Sequence, residues 1–306
     1  MKTRQTEHVV AIPAPAAAVY HLIEDAEMWP AIFTPTVHVQ RLHPTGNGSE
    51  ERLRIWAFAG TSVRSWVSHR SLNPAAGRIA FHQTRPASPV AAMRGEWVIA
   101  PDGDQCRVFF RHWFSAENDD EAILDRIEEV VEHNSRAELA SLRAAVDRAH
   151  LLVDWEDEVD GGGGQEQMYR FLAEAGSWPG RIPHVARVEL TEQAPDIQTL
   201  EMDTKPSTGG ATHTTVSVRV LLPPDTIVYK QTTLPGFLHA HVGSWSLRED
   251  GTAIARHTVV LKEEAIKAIM GPDATVSKAA ELVRESIGGN SKATLRRALE
   301  LTSAKP

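Results

Sequence analysis

A repeat with a period of about 149 residues, the separation of Trp29 from Trp178, constrains the fold of this chain more than any other feature. Five pairs of short segments match between the two halves and occur in the same order in each. They are VYHLIEDAEMWP (19–30) with MYRFLAEAGSWP (168–179), SWVSHRSLNP (65–74) with TTVSVRVLLP (214–223), FHQT (81–84) with YKQT (229–232), the Gly-x-Trp motifs that end at Trp97 and Trp245, and Asn134-Ser135-Arg136 with Asn290-Ser291-Lys292. Collinear matches of this kind indicate duplication of one domain. We therefore predict two domains, residues 1–150 and 151–306.

Four consecutive glycines, Gly161–Gly164, look like a flexible linker between the halves. One repeat period earlier, however, these positions fall on Ile12–Pro15, between a predicted strand and a predicted helix. The glycines are therefore predicted to form a loop inside the second domain, whose first strand is VDWEDEV (153–159).

Composition and charge exclude several classes of protein. The 306 residues carry a formal net charge of -8, and an acidic chain is poorly suited to a broad contact with nucleic acid. The single cysteine, Cys106, allows no disulfide within the chain and is typical of a reducing compartment. The N-terminus, MKTRQTEHVV, has no signal-peptide pattern, and no run reaches the ~20 apolar residues of a membrane span. We expect a soluble protein of the cytoplasm.

Each half has the pattern of an α+β domain. In the first half, residues 7–12 are typical of a strand and 15–28 of an amphipathic helix. Short β-branched and apolar runs follow from about 36 to 115, separated by the turn sequences HPTGNGS (43–49), NPAAG (73–77) and PDGD (101–104). Apolar residues then recur at helical spacing over roughly 118–149. A curved antiparallel sheet around one long helix is expected to leave an internal cavity suited to a small molecule.

The motifs resemble those of a known enzyme family. The SWVSHR segment with its later proline, the GEW motif before the Asp-Gly turn (95–103) and Asn134-Ser135-Arg136 resemble the aromatase/cyclases of bacterial type II polyketide synthases. These belong to the START-like, Bet v 1-like, helix-grip superfamily. The duplication, with WPGRIPHVARVELTE (178–192) and QTLEMDT (198–204), resembles the di-domain subgroup. The resemblance implies cyclisation and aromatisation of the first ring of a poly-β-ketone tethered to an acyl carrier protein, with one ketone already reduced and dehydration completing the ring.

Arg70 is the first candidate for catalysis, and Ser68 shares its face of the predicted strand because side chains alternate. A guanidinium is permanently charged, so it can hold a ketone oxygen and stabilise an enolate but cannot carry protons. By residue type alone, Arg70 would be assigned to the surface. The resemblance instead implies an arginine in the pocket.

His112 is the candidate for proton transfer. It lies on the last predicted strand before the long helix, with Phe110 and Phe114 on the same face. An imidazole among aromatic rings suits a proton relay, although a hydrogen-bonded core histidine fits the pattern equally well. His257 lies on the comparable strand of the second domain, two residues from the aligned position.

Aromatic residues of the first half are predicted to line a tunnel for a long, flat substrate, and core packing is the alternative for each. The predicted pocket residues are Trp56, Trp66, Phe81, Trp97, Phe110 and Phe114, with Asn134 added from the long helix by the resemblance. The predicted pocket of the second domain contains Arg219, Tyr229, Trp245 and His257. The first domain has more such residues, so we expect it to perform the chemistry and the second domain to have a structural or auxiliary role.

The sequence contains no pattern for a metal site, a phosphate-binding loop or a nicotinamide cofactor, and we expect the protein to need no cofactor. The expected partners are the carrier-bound polyketide, the acyl carrier protein and the minimal polyketide synthase. Arg85, Arg94 and Arg181 are candidates for docking an acidic carrier protein. Two alternatives remain from the sequence: a carrier of hydrophobic ligands without catalysis, and an interaction scaffold for the synthase.

Overall fold

The computed structural model describes residues 2–45, 49–162, 164–205 and 212–303. The chain divides into two compact units, residues 1–149 and 150–306. Among the described residues, no helix is both long enough and apolar enough to cross a membrane.

The first unit is a seven-stranded antiparallel sheet with one long helix. Its strands are β1 (Arg4–Ile12), β2 (Thr36–Thr45), β3 (Glu50–Ala59), β4 (Ser62–Asn73), β5 (Arg78–Arg85), β6 (Val90–Asp102) and β7 (Gln105–Ala116), and its helices are α1 (Ala16–Glu24), α2 (Trp29–Ile32) and α3 (Glu121–Asp147). The strand order is β1-β7-β6-β5-β4-β3-β2, so a six-stranded meander is completed by β1 at the β7 edge.

The second unit repeats this plan. Its strands are β8 (Leu152–Val159), β9 (Val185–Ala194), β10 (Ile197–Thr204), β11 (His213–Leu222), β12 (Thr226–Thr233), β13 (Leu238–Leu247) and β14 (Ala253–Leu261), and its helices are α4 (Gln165–Ala173), α5 (Glu263–Met270), α6 (Val276–Val283) and α7 (Gly289–Ser303). The strand order, β8-β14-β13-β12-β11-β10-β9, is the same as in the first unit. Two copies of one α+β fold, each a sheet with a long terminal helix, confirm the predicted fold class.

The helices differ from the sequence prediction in their limits. The predicted helix over 15–28 ends at Glu24, and a 3₁₀ turn, Ala26–Met28, connects it to α2. The terminal helix of the second unit contains a π-helical turn, Arg284–Gly288, between α6 and α7. An additional helix, α5, precedes it, where the first unit has only a 3₁₀ turn before α3.

The turns predicted over 73–77 and 101–104 connect β4 to β5 and β6 to β7, whereas residues 43–45 of the turn predicted over 43–49 belong to β2. Asn73 accepts a hydrogen bond from the Ala76 amide at 3.0 Å, and Gly77 follows with a φ of 56°, a conformation that glycine adopts at little cost. Residues 46–48 of the turn over 43–49 lie outside the described residues. The glycine run falls between β8 and α4, inside the second unit as predicted, although Gly163 is also outside the described residues.

Helix α3 closes the first unit by burying one apolar stripe. Asp120 caps its N-terminus by accepting a hydrogen bond from the Ile123 amide at 3.0 Å. The buried positions recur every three or four residues and face the sheet. They are Leu124, Ile127, Val131, Ser135, Leu139 and Leu142. Because these side chains pack mainly over β1 and β7, space remains between α3 and the middle strands.

The strand register corrects one alignment made from the sequence. Gly95 of the first Gly-x-Trp motif pairs with His112, and Gly243 of the second pairs with His257. The two histidines are therefore equivalent, rather than two residues apart. The difference arises because 17 residues separate the first pair in sequence and only 14 separate the second, so the hairpin is shorter in the second unit.

Both Gly-x-Trp motifs have a steric reason for their glycine. A Cβ on Gly95 would lie 2.4 Å from Cζ of Phe81 and 2.5 Å from the backbone oxygen of Arg111, and a Cβ on Gly243 would similarly collide with Tyr229. The ring of the neighbouring strand thus occupies the space above each glycine.

Substitution of Gly95 by alanine is expected to lower the free energy of unfolding by about 1–3 kcal/mol, because the backbone oxygen of Arg111 has no room to move away. Gly176→Ala is the control, since a Cβ there meets no atom within 4 Å. Urea denaturation of both variants measures the difference. Equal stability of the two variants would contradict this explanation.

Candidate functional site

A cavity of about 690 Å³ lies inside the first unit, between its sheet and α3. Its walls come from alternate positions on β3 to β7 and from one face of α3. They include Leu53, Ile55, Ala57, Trp66, Ser68, Arg70, Phe81, Trp97, Phe110, His112, Ile127, Val131, Asn134, Ser135 and Glu138. The cavity therefore brings together most of the residues that the sequence singled out.

Arg70 lies in the wall of this cavity with 2% of its surface exposed. Its Nε donates to the carboxylate of Glu51, its Nη1 donates to the Ile23 carbonyl at 2.8 Å, and its Nη2 donates to the Glu24 carbonyl. Both carbonyls belong to the last turn of α1, where the helix dipole is negative. A guanidinium has five N–H groups, so two remain for a ligand after these three bonds.

Trp29 explains why the Trp-Pro motif and the arginine recur together. Its indole Nε1 donates to the Ile23 carbonyl at 3.0 Å, and its ring lies 5.1 Å from the Arg70 guanidinium carbon. In the second unit Arg219 lies 5.4 Å from the ring of Trp178 in the same way. The repeated motif therefore anchors the first helix of each unit to an arginine on the sheet.

His112 is 9% exposed and is surrounded by aromatic rings. Its ring centroid lies 4.3 Å from that of Phe110 and 5.6 Å from that of Phe81, both edge-on. Its Nδ1 lies 3.5 Å from the Ser135 hydroxyl. Burial, with a smaller contribution from the nearby His8, lowers the pKa of His112 to about 3. The imidazole is therefore neutral at physiological pH.

Glu138 is a cavity residue that the sequence analysis did not identify. It follows Asn134 by one helical turn on α3, and no hydrogen bond or ion pair reaches its carboxyl group from the described residues. Burial away from bulk water raises the pKa of Glu138 to about 8, so the group is mostly protonated at pH 7. Its spacing of four residues from Asn134, a predicted pocket residue on the same helix, was the signal in the sequence.

Four of the six predicted aromatic residues line the cavity: Trp66, Phe81, Trp97 and Phe110. Trp97 and Phe110 stack with their centroids 3.4 Å apart and form one flat wall.

The other two are placed elsewhere. Phe114 packs among the apolar residues of α3 and is not part of the cavity wall. Trp56 lies on the opposite face of β3, 5.2 Å from the ring of His38, because its neighbours Ile55 and Ala57 are the ones that face inward.

Ser68 and Asn134 line the cavity but bond to the backbone. The Ser68 hydroxyl donates to the His82 carbonyl at 3.2 Å, and the Asn134 amide donates to the Phe58 carbonyl at 2.9 Å. Their remaining acceptor positions are available to a ligand. Among the described residues, no group of three or more His, Cys, Asp or Glu side chains is placed to hold a metal ion.

A second cavity, of about 350 Å³, lies inside the second unit. The four residues predicted for it, Arg219, Tyr229, Trp245 and His257, all line it. The Tyr229 hydroxyl lies 3.1 Å from Nδ1 of His257. Each unit of the duplication therefore encloses its own cavity, and the first is about twice as large.

Comparisons with known proteins agree with this arrangement. Residues 3–147 and 164–287 each match a family model described as polyketide cyclase/dehydrase and lipid transport. The chain is 40% identical over 305 residues to the actinorhodin polyketide synthase bifunctional cyclase/dehydratase of Streptomyces coelicolor. This alignment covers 95% of this chain and 94% of that protein. It is 36% identical to the granaticin counterpart of Streptomyces violaceoruber, over 97% and 93% of the two chains.

Two crystal structures extend the likeness to the whole fold. The di-domain ARO/CYC BexL from the BE-7585A biosynthetic pathway superposes with a TM-score of 0.88 at 40% identity, over 99% of this chain and 100% of that one. StfQ from the steffimycin pathway gives a TM-score of 0.81 at 34% identity, over 97% and 98%. With a polyketide cyclase/dehydrase domain in each half and full-length relatives of this kind, the chain belongs to the di-domain aromatase/cyclases of bacterial type II polyketide synthases and is a cyclase/dehydratase enzyme.

Proposed function

We propose that the first domain forms and aromatises the first ring of a poly-β-ketone that is held on an acyl carrier protein and already reduced at one ketone. One observation carries this proposal: a single large cavity is lined by a hydrogen-bonding arginine, Arg70, a histidine among aromatic rings, His112, and a carboxyl group, Glu138. Burial lowers the pKa of His112 and raises that of Glu138, which favours a neutral imidazole and a protonated acid. Aldol closure and dehydration need these three kinds of group.

The shape of the cavity supports folding of the chain before reaction. Its volume of about 690 Å³ is within the usual range for ligand sites, and its walls are largely aromatic and aliphatic. Flat rings such as Trp66, Trp97 and Phe110 offer broad, stiff contacts to a planar ring as it forms. Holding the enolate carbon against one carbonyl can by itself lower the barrier by ~7–11 kcal/mol. Wrong cyclisations are suppressed for the same reason.

The acid and the base are assigned from their protonation states. His112 is neutral and can accept a proton from the methylene between two ketones, while Glu138 is protonated and can donate one. Since the pKa of His112 is only about 3, the imidazolium would be short-lived and would pass its proton on within the same step. Arg70 donates hydrogen bonds to the enolate or alkoxide oxygen.

The proposed aldol closure and dehydration need no oxidant or reductant. His112 removes a proton from carbon, the enolate carbon attacks the carbonyl carbon to form the new C–C bond, and the alkoxide takes the proton back. Dehydration then transfers a second carbon-bound proton to His112, and the hydroxyl group leaves as water with a proton from Glu138. The proton on His112 returns to the Glu138 carboxylate, directly or through water, so both groups end in the state in which they began. The reduced ketone supplies a hydroxyl group whose loss completes the aromatic ring.

Arginines near the first cavity support an acidic carrier as partner. Arg64 and Arg126 are exposed and also belong to the cavity wall, which places them where the chain would enter. Arg85, predicted from the sequence, is exposed at the end of β5, next to a loop (87–90) that lines the same cavity. Arg94 is exposed on β6, with its guanidinium 4.5 Å from the ring of Trp113. Arg181, in the second unit, is exposed as well.

The second domain is proposed to have an auxiliary role in this reaction. Its cavity has about half the volume, and the position of Glu138 is occupied by Thr294, four residues after the aligned asparagine. The Thr294 hydroxyl donates to the Asn290 carbonyl at 3.0 Å. The second cavity therefore has no acid at this position to protonate a leaving hydroxyl.

Filling each cavity in turn tests the proposal. Ser68 and Ser217 are equivalent in the repeat, and each faces the cavity of its own unit. Added to a minimal polyketide synthase with its ketoreductase, wild-type protein should yield one aromatised first ring. Ser68→Phe should yield spontaneous shunt products, because the new ring occupies the space of the substrate. Product analysis by mass spectrometry and NMR measures the difference, and circular dichroism verifies folding.

The Ser217→Phe variant decides which domain is responsible. It should form the same ring as the wild type at a comparable yield. Loss of the product in this variant but not in Ser68→Phe would overturn the assignment of the chemistry to the first domain. Identical products with free and carrier-bound chain mimics would contradict the need for a carrier.

A further inference from the structure

The second cavity contains a buried cation that lacks the acidic partner of its counterpart. Arg219 is 2% exposed, and its Nη2 and Nη1 donate to the carbonyls of Leu172 and, at 3.5 Å, Ala173. These bonds repeat those of Arg70 to α1. The third bond of Arg70, from Nε to Glu51, has no counterpart. Within the part of the chain that the structure describes, no carboxylate forms an ion pair with Arg219.

The missing carboxylate is replaced by an amide. Gln198 pairs with Arg219 across the strands, just as Glu51 pairs with Arg70, so the two positions are equivalent. The Gln198 side chain donates to Glu192 at 3.3 Å, and its own Oε1 has no hydrogen-bond partner among the described residues. With an amide in place of the acid, the charge of Arg219 has no carboxylate partner among the described residues.

A buried charge without a partner is costly, so an anion in the cavity would offset that cost. Burial lowers the pKa of Arg219 to about 10, which still leaves it charged at pH 7. Four histidines line the cavity: His184, His213, His241 and His257. Burial lowers the pKa of His257 to about 4, that of His241 to about 3 and that of His184 below its usual value, so these three do not compete for the anion. His213 is exposed, so Arg219 is the buried cation that an anionic ligand would meet.

The rest of the cavity suits a small aromatic molecule. The rings of Trp178 and Trp245 lie 5.9 Å apart, and Tyr229 lies 5.7 Å from Trp245. The Tyr229 hydroxyl, 3.1 Å from Nδ1 of His257, gives the ligand a second polar contact in the cavity wall. A volume of about 350 Å³ is near the lower end for ligand sites and fits one or two rings but no extended chain.

We propose that the second cavity binds a compact aromatic anion, a carboxylate or phenolate of one or two rings, with Arg219 as its counterion. This site is separate from the cavity in which we place catalysis, and it does not depend on the reaction proposed there. Its ligand class includes the acidic one- and two-ring products that early cyclisation chemistry can release.

Calorimetric titration of the full-length protein with 2-naphthoate tests the site, with neutral 2-naphthamide as the matched probe. Both titrations are repeated in Ser68→Phe, which fills the first cavity and confines binding to the second. We expect 2-naphthoate to bind at least about tenfold more tightly than 2-naphthamide. Gln198→Glu supplies Arg219 with the carboxylate that Arg70 has, and it should weaken 2-naphthoate at least about tenfold while leaving 2-naphthamide unchanged.

Gln198→Met is the control, because it removes the amide without adding charge and should keep the preference for the anion. Gln198→Glu should also raise the melting temperature of the unliganded protein, which shows that the new carboxylate pairs with Arg219. Equal affinity for the two probes, no binding of either, or unchanged 2-naphthoate binding in a Gln198→Glu variant with a raised melting temperature would each overturn the proposal.

Discussion

Replacing Arg70 by methionine is expected to reduce both stability and correct product, and replacing Glu51 by methionine in the same chain is expected to restore only the stability. The single substitution leaves the buried Glu51 carboxylate without its main partner and removes one donor from each of the Ile23 and Glu24 carbonyls, although Trp29 still donates to Ile23. Breaking a buried ion pair on one side typically costs about 3–5 kcal/mol. Glu51 keeps a bond from Arg41, which places the expected loss near the lower end, at about 3 kcal/mol.

The double variant separates the anchoring of α1 from catalysis. Replacing both members of a buried pair by apolar side chains of similar size is often nearly neutral, so Arg70→Met with Glu51→Met should be within about 1 kcal/mol of the wild type in urea denaturation. It still lacks the two N–H groups that Arg70 can offer to an oxygen in the cavity. We therefore expect a folded protein that gives shunt products. A double variant that forms the correct ring would show that Arg70 acts only as an anchor.

Arg219→Met provides the matched control in the second unit. Arg219 makes the corresponding bonds to the end of α4 but has no carboxylate partner. Its removal leaves no buried anion behind, so the loss of stability should be clearly smaller than for Arg70→Met. Equal losses of stability in the two variants would mean that the ion pair with Glu51 adds nothing to the stability that the bonds to the helix carbonyls provide.

Elements defined by local periodicity were predictable from this sequence. The alternation on β4 placed Ser68 and Arg70 on one face, and the spacing of apolar residues predicted α3 within a few residues of its ends. The repeat assigned the glycine run to a loop, and the structure has it between β8 and α4. These features depend on short segments, where side-chain direction follows from the strand or helix period.

Features that depend on pairing between distant segments were not predictable. Glu51 meets Arg70 only because β3 and β4 pair in one register, and no local pattern specifies that register. Trp56 was assigned to the wrong face, because the same register decides which alternate residues of β3 face the cavity. Glu138 was missed because its environment depends on the space that α3 leaves above the sheet.

Glu138→Gln is expected to slow dehydration by about 10²-fold or more, since positioned general acids contribute roughly 10²–10⁴-fold to rate. The amide keeps the size of the side chain but cannot deliver a proton to a leaving hydroxyl group. The cyclised alcohol should therefore accumulate, which mass spectrometry detects as a product heavier by one water. In the wild type, the rate of dehydration should fall as the pH rises through about 8, where Glu138 loses its proton.

The same substitution tests the state of the carboxyl group without any substrate. Burial raises the pKa of Glu138 in the folded protein to about 8, from a usual value of 4.5. Between these two pH values the folded state holds a proton that the unfolded state has lost, so the free energy of unfolding decreases as pH rises. Urea denaturation at pH 5.5 and pH 8 should show this decrease in the wild type and a smaller one in Glu138→Gln. Glu129, exposed on the same helix, gives the control: Glu129→Gln should keep both the decrease and the activity. An unchanged pH dependence in Glu138→Gln would mean that the carboxyl is already ionised at pH 7, and the assignment of Glu138 as the acid would be lost.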